Sequence, residues 1–185
     1  MMKEFFKSPK KTATLGLVGS VIMLISTFLS LNTYNLMLNM YNFYIIGLVI
    51  YFIIILMRLY KQKGNIKVAN YMLIATYILS IVGLVITTIA EGESISYMLI
   101  EILFMIIIIV YFCNILLRKF KIFNNKIFAV LIIGLSLYQL FRFGMFIFVY
   151  DEIELNLISY FVKYLAYIVI VPYFYNYYEL LKEEQ

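Results

Sequence analysis

The sequence predicts an all-α membrane protein, a compact bundle of six transmembrane helices. Hydrophobic residues make up 65% of the 185 residues and charged residues 14%. A water-soluble domain is about half apolar and about a quarter charged. Six apolar stretches approach the roughly 20 residues that a helix needs to cross a bilayer. Because backbone groups in lipid must pair within their own segment, each stretch is expected to be a helix.

The six stretches follow one another along the whole chain and form a single predicted domain. The expected spans are residues 13–31, 43–60, 68–90, 95–117, 127–149 and 157–178. An alternative for the first is a cleaved signal peptide, because lysines precede it and small residues lie near its end. Its apolar run is longer than a signal-peptide core and no Ala-x-Ala site follows, which favours an uncleaved span.

Basic residues indicate which ends of the spans face the cytoplasm. They cluster before span one, between spans two and three, and between spans four and five, and Lys182 follows span six. The other loops contain no Lys or Arg, and two of them are acidic. Six spans put every basic cluster on one side, which predicts a cytoplasmic (inner) membrane protein with both termini in the cytoplasm. Basic loops that face the anionic lipid bilayer also explain the net charge of +5 without a nucleic-acid partner.

The residue types that the sequence lacks limit its chemistry. It has no histidine, which excludes His-ligated zinc and haem and the His-based catalytic triads. Asp151 is its sole aspartate, and Cys113 its sole cysteine, so neither an aspartyl dyad nor an intrachain disulfide can form. No glycine-rich phosphate loop is present. We therefore expect no enzymatic activity, no metal and no cofactor.

Three ionisable residues lie well inside the predicted spans: Glu101, Arg142 and Lys163. Each is roughly 12–14 Å along its helix from an acidic loop, at about 1.5 Å per residue. A charge that faces lipid at the centre of a helix costs at least about 2.5–3.5 kcal/mol. The three side chains are therefore expected to turn inward and meet at one depth in the outer half of the bundle.

Other polar residues share helix faces with these charges, because residues three or four apart are neighbours on a helix. The predicted ligand-binding residues are Tyr97, Glu101, Tyr138, Gln139, Arg142, Tyr160, Lys163, Tyr164 and Tyr167. One carboxylate and two cations leave a net charge of +1, which favours an anionic or zwitterionic solute. Pro172 lacks the backbone N–H that would continue the helical pattern, so it predicts a kink that helps to open a cavity.

Two functions stay open on the sequence alone. One is a small-solute-binding or transport subunit, with an outward-facing polar site between spans four to six and a membrane protein as its partner. The other is a non-transporting membrane partner, such as a sensor, immunity factor, scaffold or assembly subunit, that acts through helix–helix contacts. The three charges would then hold spans four to six together.

Two further patterns carry weaker predictions. Two groups of tyrosines are expected to anchor the bundle at the membrane interfaces: Tyr34, Tyr41 and Tyr44 at the outer one, and Tyr173, Tyr175, Tyr177 and Tyr178 at the inner one. Residues 45–51 resemble residues 132–138, which suggests an inverted three-helix duplication of the kind found in some transporters. The alternative is chance similarity in a chain rich in Ile, Leu and Tyr.

Overall fold

Six α-helices form the described part of the chain in this computed structural model. The structure describes residues 8–30, 42–62, 64–91, 95–117, 125–150 and 155–182, and side chains within 8–28, 42–62, 64–89, 98–116, 126–145 and 161–175. The helices are α1 (Pro9–Ser30), α2 (Phe43–Leu59), α3 (Ile66–Glu91), α4 (Ile95–Leu117), α5 (Asn125–Tyr150) and α6 (Leu155–Lys182). The described chain is thus all-helical, and each helix matches one predicted stretch to within a few residues.

Four of the helices are long and apolar enough to cross a membrane. The qualifying segments are Pro9–Phe28, Ile66–Ile89, Met98–Leu116 and Lys126–Met145. The helix α2, with 17 residues, and the apolar segment Phe161–Tyr175 of α6 are both shorter than these four segments. These lengths support a membrane protein, with four spans qualifying by length and composition.

Side-chain contacts show that successive helices alternate in direction. The helices α4 and α6 are parallel, because Glu101 contacts Tyr164 and Tyr111 contacts Phe174, with the same separation of 63 residues in both pairs. The helix α2 is parallel to α6 as well, since its successive tyrosines meet successive tyrosines of α6. Antiparallel pairs are α1 with α2, α2 with α3, and α5 with α6.

This alternation brings four basic residues near helix ends in the described chain to one end of the bundle. Lys10 begins α1, Arg58 lies near the end of α2, and Lys67 and Lys126 lie at the starts of α3 and α5. Contact across this end is direct, because the Lys10 ammonium lies 4.8 Å from the centroid of the Tyr60 ring.

The helix α6 connects the other five helices. Its backbone runs closely along α1 and α5, while α4 approaches α5 over only a short stretch. Long side chains of α6 cross the interior to α2, α3 and α4. The hydrogen bonds are Tyr51 to Tyr173 at 3.1 Å, Tyr77 to Tyr167 at 2.9 Å, and Tyr111 to the carbonyl of Phe174 at 3.0 Å. Buried phenols need such partners, so these bonds fix which tyrosines face each other.

The prediction that Tyr44 and Tyr173 anchor the bundle at membrane interfaces is wrong. Both side chains are fully buried in the core. The Tyr173 hydroxyl pairs with that of Tyr51, so it does not need the polar headgroup region. Tyr175, in contrast, is exposed on the bundle surface, which agrees with an anchoring role. The side chains of Tyr34, Tyr41, Tyr177 and Tyr178 lie outside those that the structure describes.

The two similar segments occupy different surroundings. Gly47 is buried against Thr76, whereas a Cβ added at Gly134 would meet nothing within 4 Å. The corresponding tyrosines differ as well, because Tyr51 is buried and Tyr138 is 52% exposed. The helix α1 packs along α2, but the pair α4 and α5 that would match it barely touches. The described structure therefore does not support the duplication.

Candidate functional site

An ion pair between Glu101 and Lys163 lies inside the bundle. The helix α4 carries the carboxylate and α6 the ammonium, and the distance from Nζ to Oε2 is 2.9 Å. Glu101 is 3% exposed and Lys163 5%. A buried charge without a partner is strongly unfavourable, so each residue compensates the other. The structure thus brings together two of the three charges that the sequence placed inside the spans.

Tyr164 completes the surroundings of the Glu101 carboxylate. Its hydroxyl donates a hydrogen bond to Oε1, so both carboxylate oxygens have donors. The Lys163 ammonium lies 5.1 Å from the Tyr164 ring centroid and 5.8 Å from that of Tyr44, within the range of cation–π attraction. These contacts hold α4 to α6 at this level of the bundle.

Tyr167 extends the polar cluster toward α2 and α3. Its hydroxyl lies 2.9 Å from that of Tyr77, and its ring stacks on Tyr44 with centroids 6.4 Å apart. The backbone N–H of Tyr44 donates in turn to Ser80 at 2.8 Å. Tyr44 and Tyr77 were not among the predicted site residues. Their spans carry no internal charge, and that charge was the signal from which the site was predicted.

Gln139 and Ser136 lie on the inner face of α5. They lie between Phe128, which packs on rings of α4 and α6, and Phe143, whose ring centroid is 6.0 Å from that of Tyr164. Gln139 is 1% exposed and Ser136 is fully buried. Within the described part of the chain, neither Oε1 nor Nε2 of Gln139 has a hydrogen-bond partner, and nor does Oγ of Ser136.

Several other hydroxyl residues of the described helices bond to carbonyls of their own helix, whereas Oγ1 of Thr88, like Oγ of Ser136, is buried without a partner among the described residues. Ser20 donates to the carbonyl of Leu17 at 2.9 Å and Ser80 to that of Thr76 at 2.8 Å, the usual solution for a hydroxyl inside a helix. Burying an amide or hydroxyl without a partner costs about 2–7 kcal/mol, depending on the reference state. A hydrogen-bonding group placed beside Gln139 and Ser136 would remove this cost.

Of the remaining predicted residues, one is half-buried, one lies on the surface, and two have side chains that the structure does not describe. Arg142, one turn from Gln139, is half-buried. Tyr138 lies on the outer surface of α5, so the prediction that it shares the interior face is wrong. Adjacent helical residues are about 100° apart, and the burial of Gln139 turns Tyr138 outward. The side chains of Tyr97 and Tyr160 lie outside those that the structure describes.

Comparison of the chain with protein-family models, with curated proteins and with solved structures finds no significant match. The site is therefore interpreted from its own residues. An ion pair without net charge, a half-buried guanidinium and a buried amide and hydroxyl can bind and orient a polar group. Among the described residues, no three His, Cys, Asp or Glu side chains lie together as metal ligands.

Proposed function

We propose that the chain is an inner-membrane protein that crosses the membrane six times and has both termini in the cytoplasm. The basic end of the bundle supports this orientation, because Lys and Arg are enriched on the cytoplasmic side of membrane proteins. The 17 residues of α2 span about 26 Å, at about 1.5 Å per residue. A hydrocarbon core about 30 Å thick accommodates such a helix by modest local thinning.

Within this bundle, a site between α4, α5 and α6 binds a small anionic or zwitterionic solute. The observation that carries the proposal is Gln139, which is buried at 1% exposure with neither of its polar side-chain atoms bonded to any described residue. A native interior seldom retains such an amide unless it serves a ligand or ordered water. Ser136, buried on the same face and also without a partner in the described part of the chain, supports the same position.

The charges of the site favour an anionic group. Glu101 and Lys163 neutralise each other at 2.9 Å, and Arg142 adds a half-buried guanidinium one turn along α5 from Gln139. A guanidinium binds a carboxylate or phosphate through two parallel hydrogen bonds. In this function the ion pair joins α4 to α6 and forms one wall of the site.

A binding subunit that works with a membrane partner fits this interior better than an autonomous pump. The described core is dominated by aliphatic and aromatic side chains, with few ionisable groups among them. Ion-coupled transport uses chains of ionisable residues inside the membrane.

The test is to identify the small molecules that remain bound to protein purified in lipid nanodiscs. The wild type is compared with Gln139→Leu, and Gln62→Leu, at an exposed position, is the matched control. We expect mass spectrometry of the denatured samples to find a polar solute with the wild type and with Gln62→Leu. Gln139→Leu should lack it. Absence of a polar solute from the wild type, or its retention by Gln139→Leu, would contradict the proposal.

A second candidate function is a non-transporting membrane partner, and the completeness of the ion pair favours it. Both oxygens of Glu101 already have donors, so this part of the cluster needs no ligand to be stable. Polar contacts of this kind join helices in many membrane proteins. Under this function, Gln139→Leu removes an unfavourable buried amide, raises the melting temperature and changes no bound solute.

A further inference from the structure

We infer that the part of the solute in contact with Gln139 is a neutral group with a hydrogen-bond donor and an acceptor side by side, such as a carboxamide or a urea. The inference rests on the proposed function and specifies the chemistry of that same site. It starts from a property of the Gln139 side chain, which presents a donor and an acceptor that are both buried and both without a partner among the residues that the structure describes.

The two polar atoms of Gln139 make different demands on a ligand. Nε2 donates and Oε1 accepts, in one plane. A carboxylate would accept from Nε2 but would bring its second oxygen against Oε1. An ammonium would donate to Oε1 but would leave Nε2 without an acceptor. A primary carboxamide or a urea meets both demands through two parallel hydrogen bonds, so it leaves no buried polar atom unpaired.

Ser136 adds a third hydrogen-bonding position on the same face. It lies three residues from Gln139, about 4.5 Å along the helix axis. Its hydroxyl can donate or accept and is not occupied by the carbonyls of its own helix. A carboxamide has a second N–H and a second carbonyl lone pair, and either of them can be used by this hydroxyl.

The ion pair of the cluster also favours a neutral group beside Gln139. The pair between Glu101 and Lys163 is buried and internally compensated. A net charge placed beside Gln139 would lose its hydration without gaining a counter-ion from that pair. The group of the solute in contact with Gln139 is therefore neutral.

The experiment uses three small probes of nearly the same shape. Acetamide has the donor and the acceptor, acetone has the acceptor alone, and acetate has two acceptors and a charge. The melting temperature of the purified full-length protein is measured against the concentration of each probe. We expect acetamide to stabilise the wild type with an affinity about tenfold or more above that of acetone or acetate, because the other probes leave buried groups of Gln139 unpaired.

Variants locate the effect at the inner face of α5. Gln139→Leu should remove the stabilisation by acetamide, Ser136→Ala should weaken it, and the exposed control Gln62→Leu should leave it unchanged. Gln139→Met, which keeps the length of the side chain, replaces Gln139→Leu if the branched residue impairs folding.

Three results would overturn the inference. Equal stabilisation by acetone or acetate would show that a donor–acceptor pair is not recognised. An acetamide effect that persists in both Gln139→Leu and Gln139→Met would place binding elsewhere. No effect of acetamide on the wild type would indicate that water, and not a neutral ligand group, satisfies Gln139. The solute found by mass spectrometry tests the proposed function separately, so a failure of the inference can be told apart from a failure of that function.

Discussion

The Glu101 carboxylate accepts hydrogen bonds from two residues of α6, Lys163 and Tyr164. Its two partners are unequal, because one supplies a compensating charge and the other a neutral hydroxyl. Loss of Lys163 leaves a buried anion that Tyr164 alone cannot neutralise. Loss of both charges together leaves a polar but uncharged interior, which a membrane protein tolerates far better.

We predict that Lys163→Met lowers stability by about 3–5 kcal/mol, the usual effect of removing one partner from a buried ion pair. The double variant Glu101→Gln, Lys163→Met should recover a large part of the loss. Thermal unfolding in detergent measures both, with Lys126→Met, at an exposed lysine, as the control for loss of a positive charge. A double variant as unstable as Lys163→Met would show that the charges are not coupled.

The sequence predicted individual site residues where the cost of burial was decisive. Glu101 and Lys163 had to avoid lipid, and the structure pairs them. Tyr138 was assigned to the site because it lies four residues from Arg142. That spacing determines neither which side of the helix is buried nor how wide the buried face is. Tyr77 could not be assigned, because its role depends on a partner in α6 that lies 90 residues away in the chain.

At the level of helices, glycine determines how closely α2 approaches its neighbours. A Cβ at Gly16 would overlap the Phe52 ring, and one at Gly47 would overlap the side chain of Thr76. Thr76 is itself fixed by a hydrogen bond to the carbonyl of Leu73 at 2.8 Å, so it cannot move without losing that bond. Small residues permit such close contacts between membrane helices.

We predict opposite effects for the same substitution at two glycines. Gly47→Ala should destabilise the bundle by about 1–3 kcal/mol, because the added methyl group overpacks the contact between α2 and α3. Gly134→Ala should stabilise it by up to about 1 kcal/mol, because alanine favours a helix and nothing lies within 4 Å. Melting temperatures of the two variants in the same detergent check the prediction, and a shift of the same sign in both would contradict it.

The helices themselves were predictable because apolar length is a strong signal, whereas their packing was not. All six apolar stretches became helices, and α6 continues through Pro172 to Lys182. Which helices meet depends on side chains such as Tyr111 of α4, whose hydroxyl donates to the backbone carbonyl of Phe174 in α6. Contacts between helices that are not consecutive have no signature in the periodicity of a single chain.

The whole molecule combines an alternating arrangement of helices with a segregation of charge. Because α1, α3 and α5 run opposite to α2, α4 and α6, basic residues that are distant in sequence meet at one end. The charges of the loops predict this segregation of basic residues from the sequence alone. The contact between α1 and α6 could not be predicted, because short loops bring together only helices that follow each other in the chain.

The proposed orientation makes a prediction about the two ends of α3. In a Cys113→Ser background, a single cysteine replaces Lys67 near the start of the helix or Glu91 at its end. A membrane-impermeant maleimide added to intact cells should label the cysteine at position 91, and the one at position 67 only after lysis. The reason is that Lys67 belongs to the basic end, which the positive-inside rule assigns to the cytoplasm. Labelling of position 67 in intact cells with protection of position 91 would invert the topology and place the polar site nearer the cytoplasmic face. Labelling of both in intact cells would mean that α3 does not cross the membrane.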